Sequence, residues 1–179
     1  MATTKGGLKF NVADLLHRPG ARRRVQGTGS LDAPRVVAST VPAQAEVSVD
    51  AVLEWVNDGI LATGTATSPF EAECRRCLGP VRGVVTAEFR ELFEAEPREG
   101  ESYPLKGEHI DLGPLAREAL VLELPLAPVC REDCQGLCAR CGGDLNQGPC
   151  GCPPEVHDPR WAALDVLDVL RNDSLPSDS

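Results

Sequence analysis

Eight of the chain's 179 residues are cysteine, and their spacing is the strongest chemical signal in it. Cys74 and Cys77 form an isolated C-x2-C. The other six, Cys130, Cys134, Cys138, Cys141, Cys150 and Cys152, crowd into C-x3-C-x3-C-x2-C-x8-C-x-C. Zinc takes four thiolates in a tetrahedron, and a C-x2-C turn presents two sulfurs to one point. Cys138-Ala139-Arg140-Cys141-Gly142 is such a knuckle, its glycine letting backbone N–H groups turn toward sulfur. Cys150 and Cys152 supply a second pair, which closes a first site. Cys74, Cys77, Cys130 and Cys134 are left for a second site, although Cys130 or Cys134 could compete for the first. Eight ligands divide evenly into two closed sites, and a catalytic zinc would need an open position.

Three other uses of the cysteines compete with structural zinc. A thioredoxin-like redox pair sits before a helix in a βαβ unit, whereas Cys77 is followed by Gly79-Pro80 and another strand pattern. Iron in a rubredoxin-like site has the same ligands, but aromatics, 4% of residues, are scarce here. Free thiols are the plainest alternative, and six cysteines in one glycine-rich segment argue against it.

The start, MATTKGGLKFNVADLL, lacks the apolar stretch and cleavage site of a secretory signal. No run approaches the roughly 18 apolar residues of a membrane helix. A cytoplasmic location, where thiols stay reduced, is therefore expected.

Other chemistry is sparse. His17, His109 and His157 lie far apart in polar contexts and read as solvated. No G-x-G-x-x-G or G-x-x-x-x-G-K-[ST] occurs, so nucleotide binding has no support. The run Glu88, Glu91, Glu94, Glu96, Glu99 and Glu101 reads as a solvated strand end and loop. Arg18, Arg22, Arg23 and Arg24, with Arg75 and Arg76 in the C-x2-C turn, are candidates for contacting RNA phosphates. A merely solvated basic arm is the competing reading.

The elements that must position these residues follow from periodicity. Residues 1–45 are broken by Pro19-Gly20, Gly27, Gly29, Pro34 and Pro42 and read as an irregular basic arm, with one helical turn over Asn11–Leu16. Val47, Val49, Ala51, Leu53 and Trp55 alternate as in a strand. Asn57-Asp58-Gly59 signals a hairpin, and strands over Ile60–Phe70 and Val81–Phe93 complete an antiparallel meander. Glu94–Gly107 reads as a loop. A helix then begins at an Asp111 cap, with Pro114 in its first turn and Leu112, Leu115, Ala119 and Leu122 as its apolar stripe. Pro125 and Pro128 end it. Asp158 and Pro159 open a last helix running to about Asn172, with Trp161, Leu164 and Leu167 facing inward. The tail reads as disordered.

The predicted fold class is therefore α+β. An antiparallel sheet, open or curled into a barrel, carries one packed helix and precedes a zinc-binding lobe that ends in a helix. The divisions are residues 1–45, 46–128, 129–172 and 173–179. Charge is uneven. Residues 1–45 hold seven Lys/Arg against two Asp/Glu, and the remainder eleven against twenty-five. A net charge of −9 repels RNA and suits a basic protein partner. Arginine outnumbers lysine 15 to 3, the bias of a GC-rich bacterial genome.

Four segments resemble the YceD family, named for large ribosomal RNA subunit accumulation. They are FNVADLLHRPGARR, NDGILATGTAT leading into ECRRCLGPV, LELPLAPVCREDCQGLCARCGGDLNQGPCGC, and DPRWAALDVL. The resemblance implies a role in accumulation of 23S rRNA and a link to a small basic protein of the large subunit, whose gene commonly lies beside the family's. It also implies that the C-x2-C corner is general in the family and the later cysteine block a subgroup feature. It carries no catalytic residues. The function expected is non-catalytic: binding a large-subunit assembly intermediate or a basic ribosomal protein, with structural zinc. A zinc-stabilised adaptor unrelated to ribosomes and a thiol redox or RNA-processing enzyme are the rival classes.

Overall fold

A computed structural model of the chain describes residues 2–5, 7–57, 59–153 and 160. The chain divides into two compact units, residues 1–136 and 137–179.

In the first unit the strands are β1 (Ala2–Lys5), β2 (Lys9–Asn11), β3 (Arg22–Gly29), β4 (Arg35–Val36), β5 (Ser39–Thr40), β6 (Val47–Val56), β7 (Gly59–Glu73), β8 (Pro80–Glu94), β9 (Tyr103–Pro104) and β10 (His109–Asp111), and the helix is α1 (Leu112–Glu123). The meander β6-β7-β8 is antiparallel throughout. Val56 pairs with Gly59 just after Asn57, whose φ of 48° is the left-handed conformation a tight hairpin requires. β3 pairs antiparallel with β6 along its whole length, and β1 lies parallel beside β3. β5 pairs with the far end of β7, and the two-residue β9 pairs with the end of β8.

The sheet is not closed into a barrel. Among the described residues no pairing joins β1 or β4 to β8 or β9. Closure would need a long strand on the outer edge of β8. The chain instead leaves through β9 and β10 and packs α1 against β7 and β8.

One face of the meander carries the core. Val47, Val49, Ala51, Leu53 and Trp55 of β6 alternate inward, as do Val85, Ala87, Phe89 and Phe93 of β8. Each Val, Leu or Phe among them contributes about 1.5–3 kcal/mol on full burial. Gly64 is fixed by crowding: a Cβ there would collide with the backbone oxygen of Asp50 and with Ala51.

Asp111 caps α1, its Oδ1 accepting from Gly113 N at 2.9 Å. The helix ends where Leu124, extended at ψ 133°, precedes Pro125. Its buried face differs in part from the expected stripe. Leu112, Ala116, Leu120 and the capping Leu124, an i,i+4 row, are buried together with Leu115, while Leu122 is 83% exposed. The row that leads into the buried Leu124 fixes the inward face, which turns Leu122 to solvent.

The N-terminal segment also departs from expectation. Residues 22–29, read as irregular, form β3. Its sequence, RRRVQGTG, offers one apolar residue and two glycines, so hydrophobic alternation could not reveal it. Its register is supported by cross-strand charge: Arg22 stands opposite Glu54, and Arg24 reaches Asp50. Residues 12–16 form the expected single turn, with Leu16 N donating to Val12 O at 3.2 Å.

In the second unit, residues 137–153 contain a bridge between Leu137 and Asp144 and a 3₁₀ turn, Leu145–Gln147. None of these seventeen residues is buried. His157, the predicted helix from Pro159 and the tail lie outside the described residues, apart from Arg160. No described helix is long and apolar enough to cross a membrane.

Candidate metal centres

The hairpin corner joining β7 to β8 is where the first cysteine pair sits, directly after the paired residues Glu73 and Pro80 close the ladder. Cys74 N donates to Gly79 O at 2.8 Å, and Leu78 N donates back to Cys74 O at 2.9 Å. Leu78 has φ 59°. The second unit repeats this turn atom for atom. Cys138 N donates to Gly143 O at 2.8 Å, Gly142 N donates to Cys138 O at 2.9 Å, and Gly142 has φ 70°. In both turns a Cβ on the fifth residue after the first cysteine, Gly79 or Gly143, would stand 3.3 Å from the second cysteine's sulfur. The two knuckles share one conformation, C-x-x-C-x-G. Sequence reading assigned it to Cys138–Cys141 because Gly142 advertised the left-handed turn. Leu78 concealed it at Cys74–Cys77, where the shared downstream glycine was the available signal.

The segment leaving α1 brings the partners of the first knuckle. Arg75 N donates to Pro128 O at 2.8 Å. The Arg76 guanidinium donates from Nη1 to the carbonyls of Glu132 (2.9 Å) and Cys134 (3.0 Å). Gly136, at φ 74°, lies so close that a Cβ would meet Arg76 O at 3.0 Å. Cys74, Cys77, Cys130 and Cys134 thereby gather with their sulfurs all within 4.8 Å of one another, and Cys138, Cys141, Cys150 and Cys152 gather likewise. This is why residues 129–136 belong to the first unit rather than to the cysteine-rich lobe.

The distances discriminate between chemistries. Cys74 and Cys134 sulfurs are 3.8 Å apart, and Cys77 and Cys130 sulfurs 3.7 Å. A disulfide needs about 2.05 Å, and none of the eight cysteines is disulfide-bonded. Four sulfurs around one tetrahedral ion at ~2.3 Å would be separated by about 3.8 Å. Each group of four could therefore hold one metal ion, and four thiolates complete a tetrahedral shell.

The electrostatics agree. Backbone N–H groups of the knuckles favour the thiolate of the leading cysteine: those at Cys77 above all bring Cys74 down to about 6, and those at Cys141 and Arg140 bring Cys138 down to about 6. The last sulfurs resist ionisation beside their neighbours. Cys134 chiefly pushes Cys130 up to about 12, and Cys141 and Cys150 push Cys152 up to about 12. Four thiolates so close repel one another, and a dication removes that repulsion. The two groups differ in shielding: Cys74 and Cys134 are buried, whereas no sulfur-bearing residue of the second group is.

The arginines proposed for RNA do not form one patch of unpaired charge. Arg22 Nη2 meets Glu54 Oε1 at 2.9 Å. Arg23 meets Asp14 at 2.5 Å and the carbonyl of Asn11. Arg24 grips Asp50 with Nε at 2.8 Å and Nη2 at 2.6 Å. That fork, with Gln26, holds the Asp50 carboxyl at about 2. Arg76 braces the first centre, and Arg18 and Arg75 are exposed. His17 packs edge-on against Trp55 at 5.2 Å, and His109 neighbours Asn11.

Comparison with known proteins adds a family to this geometry. Residues 62–168 match the family described as large ribosomal RNA subunit accumulation protein YceD. An uncharacterized protein of Mycobacterium tuberculosis is 39% identical over 178 residues, 94% of this chain and 84% of that protein. One of Mycobacterium leprae is 36% identical over 88% of this chain and 76% of its own length. The Arabidopsis thaliana chloroplastic protein named large ribosomal RNA subunit accumulation protein YCED homolog 1 is 31% identical over 65 residues, 36% of this chain and 20% of that protein. No solved structure matches.

Proposed function

The chain belongs to the YceD family of large ribosomal RNA subunit accumulation proteins, and on that premise we propose that it is a non-catalytic factor in large-subunit biogenesis. In this reading it binds an assembly intermediate through a basic large-subunit protein, so that 23S rRNA accumulates. The family match carries the proposal, and the surface charge supports the choice of partner. The chain is acidic overall at −9, and Arg22, Arg23 and Arg24 are already engaged by its own oxygen atoms. A surface of that sign attracts basic proteins and repels the phosphate backbone. Direct RNA contact, if made, falls to the exposed Arg18 and Arg75.

The ion proposed for both cysteine groups is zinc, held by Cys74, Cys77, Cys130 and Cys134 in one centre and Cys138, Cys141, Cys150 and Cys152 in the other. Its role is structural, since four thiolates leave no position for substrate. None of residues 137–153 is fully buried, and metal ligation supplies folding free energy that burial does not.

Gradient sedimentation of extract containing the tagged chain tests the functional reading. Co-migration with free large subunits or their precursors is expected. Residence only at the top of the gradient contradicts it and favours an adaptor unrelated to ribosomes.

A further inference from the structure

A groove of about 1790 Å³ lies on the first unit, lined by residues of β3, β6 and β7 and of the N-terminal half of α1. It exceeds the roughly 300–1,000 Å³ of small-molecule pockets, so a polymer segment suits it better. Thr28, Ser48, Thr65 and Thr67 give it hydroxyls, beside the apolar Leu8, Leu31, Ala45 and Pro114. Its charge is one-sided. Asp32, Glu46, Asp50, Asp111 and Glu118 face two cations, Lys9 and Arg117.

Three of those carboxylates are occupied internally. Asp50 holds Arg24, Asp111 caps α1 and lies 3.7 Å from Lys9, and Glu118 accepts from the Tyr103 hydroxyl at 2.6 Å. Asp32 and Glu46 are exposed, and no described residue hydrogen-bonds or ion-pairs with their side chains. They stand ready to accept from outside. We infer that this groove seats an extended Lys/Arg-rich segment of a partner protein. The hydroxyls meet its backbone and polar groups, and Asp32 and Glu46 take its cationic side chains. Nucleic acid is the wrong sign for the groove. The inference deepens the functional reading above by giving the basic partner a place on the surface.

The test is fluorescence anisotropy with a labelled peptide alternating lysine and serine, alongside a labelled single-stranded RNA. The intact chain is expected to bind the peptide, more weakly as salt rises, and to prefer it to RNA. Asp32→Asn with Glu46→Gln should weaken peptide binding roughly three- to tenfold. Glu99→Gln with Glu101→Gln, on an exposed loop outside the groove, should not. Equal effects of the two double variants, no effect of the first, or a preference for RNA would overturn the assignment. The same variants on a sedimentation gradient separate the two claims. If the D32N/E46Q chain still co-migrates with large-subunit precursors as wild type does, the groove assignment fails and the functional reading stands. If the wild-type chain never co-migrates, the functional reading fails whatever the groove binds.

Discussion

At the residue scale the two knuckles show how backbone donors prepare sulfur for a cation. Cys74 and Cys138 ionise at about 6 instead of the usual 9 because N–H groups point at their sulfurs. In metal-free protein a thiol depressed in this way stabilises the fold fully above pH 9. The contribution shrinks as pH falls and is gone below about 6. Metal binding at pH 7 should therefore release fewer than four protons per centre, because the leading thiol has already lost its own. Calorimetric titration of zinc in buffers of different ionisation enthalpy measures that number, and four per centre would contradict the assignment. Arg76 separates structural from RNA-binding roles. Arg76→Ala removes two donors to the 130–134 segment, so it should cost about 1 kcal/mol of stability and speed metal loss from the first centre. Arg75→Ala should do neither. Urea unfolding and a chromogenic zinc-release assay read both.

At the scale of elements, legibility followed the apolar residues. The meander β6-β7-β8 could be read because Val47 to Trp55 and Val85 to Phe93 alternate cleanly. The start of α1 could be read because Asp111 and Pro114 are cap chemistry. β3 was hidden because its pairing rests on Arg22, Arg24 and their acidic partners rather than on hydrophobic period. The apolar face of α1 differs from the expected stripe at Leu122, which is exposed, and at Ala116 and Leu120, which are buried, because Leu122 and Leu120 are equally apolar in sequence and only packing tells them apart. Leu120→Ala should cost about 2–5 kcal/mol and Leu122→Ala less than about 0.5 in chemical unfolding. The units should also respond differently to metal removal. Chelation is expected to abolish hydrogen-exchange protection in residues 137–153, which have no buried side chain, while β6, β7 and β8 keep theirs on a core that includes Leu53, Ile60 and Phe93. Protection retained throughout 137–153 after chelation would argue against a metal staple there.

For the whole molecule, the grouping of eight cysteines into two sets of four was legible as a counting argument. The pairing of Cys130 and Cys134 with the hairpin corner followed from the same count, whereas the division between the units falls after Gly136 rather than at residue 129, because Arg75 and Arg76 bond the 128–134 segment. The net charge was legible at once, but its distribution was not: of the basic start of the chain, Arg22 and Arg24 are paired with β6 and Arg23 with Asp14. This acidic chain is proposed to hold metal at two points, one in each unit. Metal content per chain, measured on protein purified under reducing conditions without added metal, tests that claim most directly. Two zinc ions per wild-type chain, falling to one in Cys74→Ser/Cys77→Ser and to one in Cys138→Ser/Cys141→Ser, is the predicted result. No tightly held metal in the wild-type chain, or loss of both ions from either double variant, would contradict it.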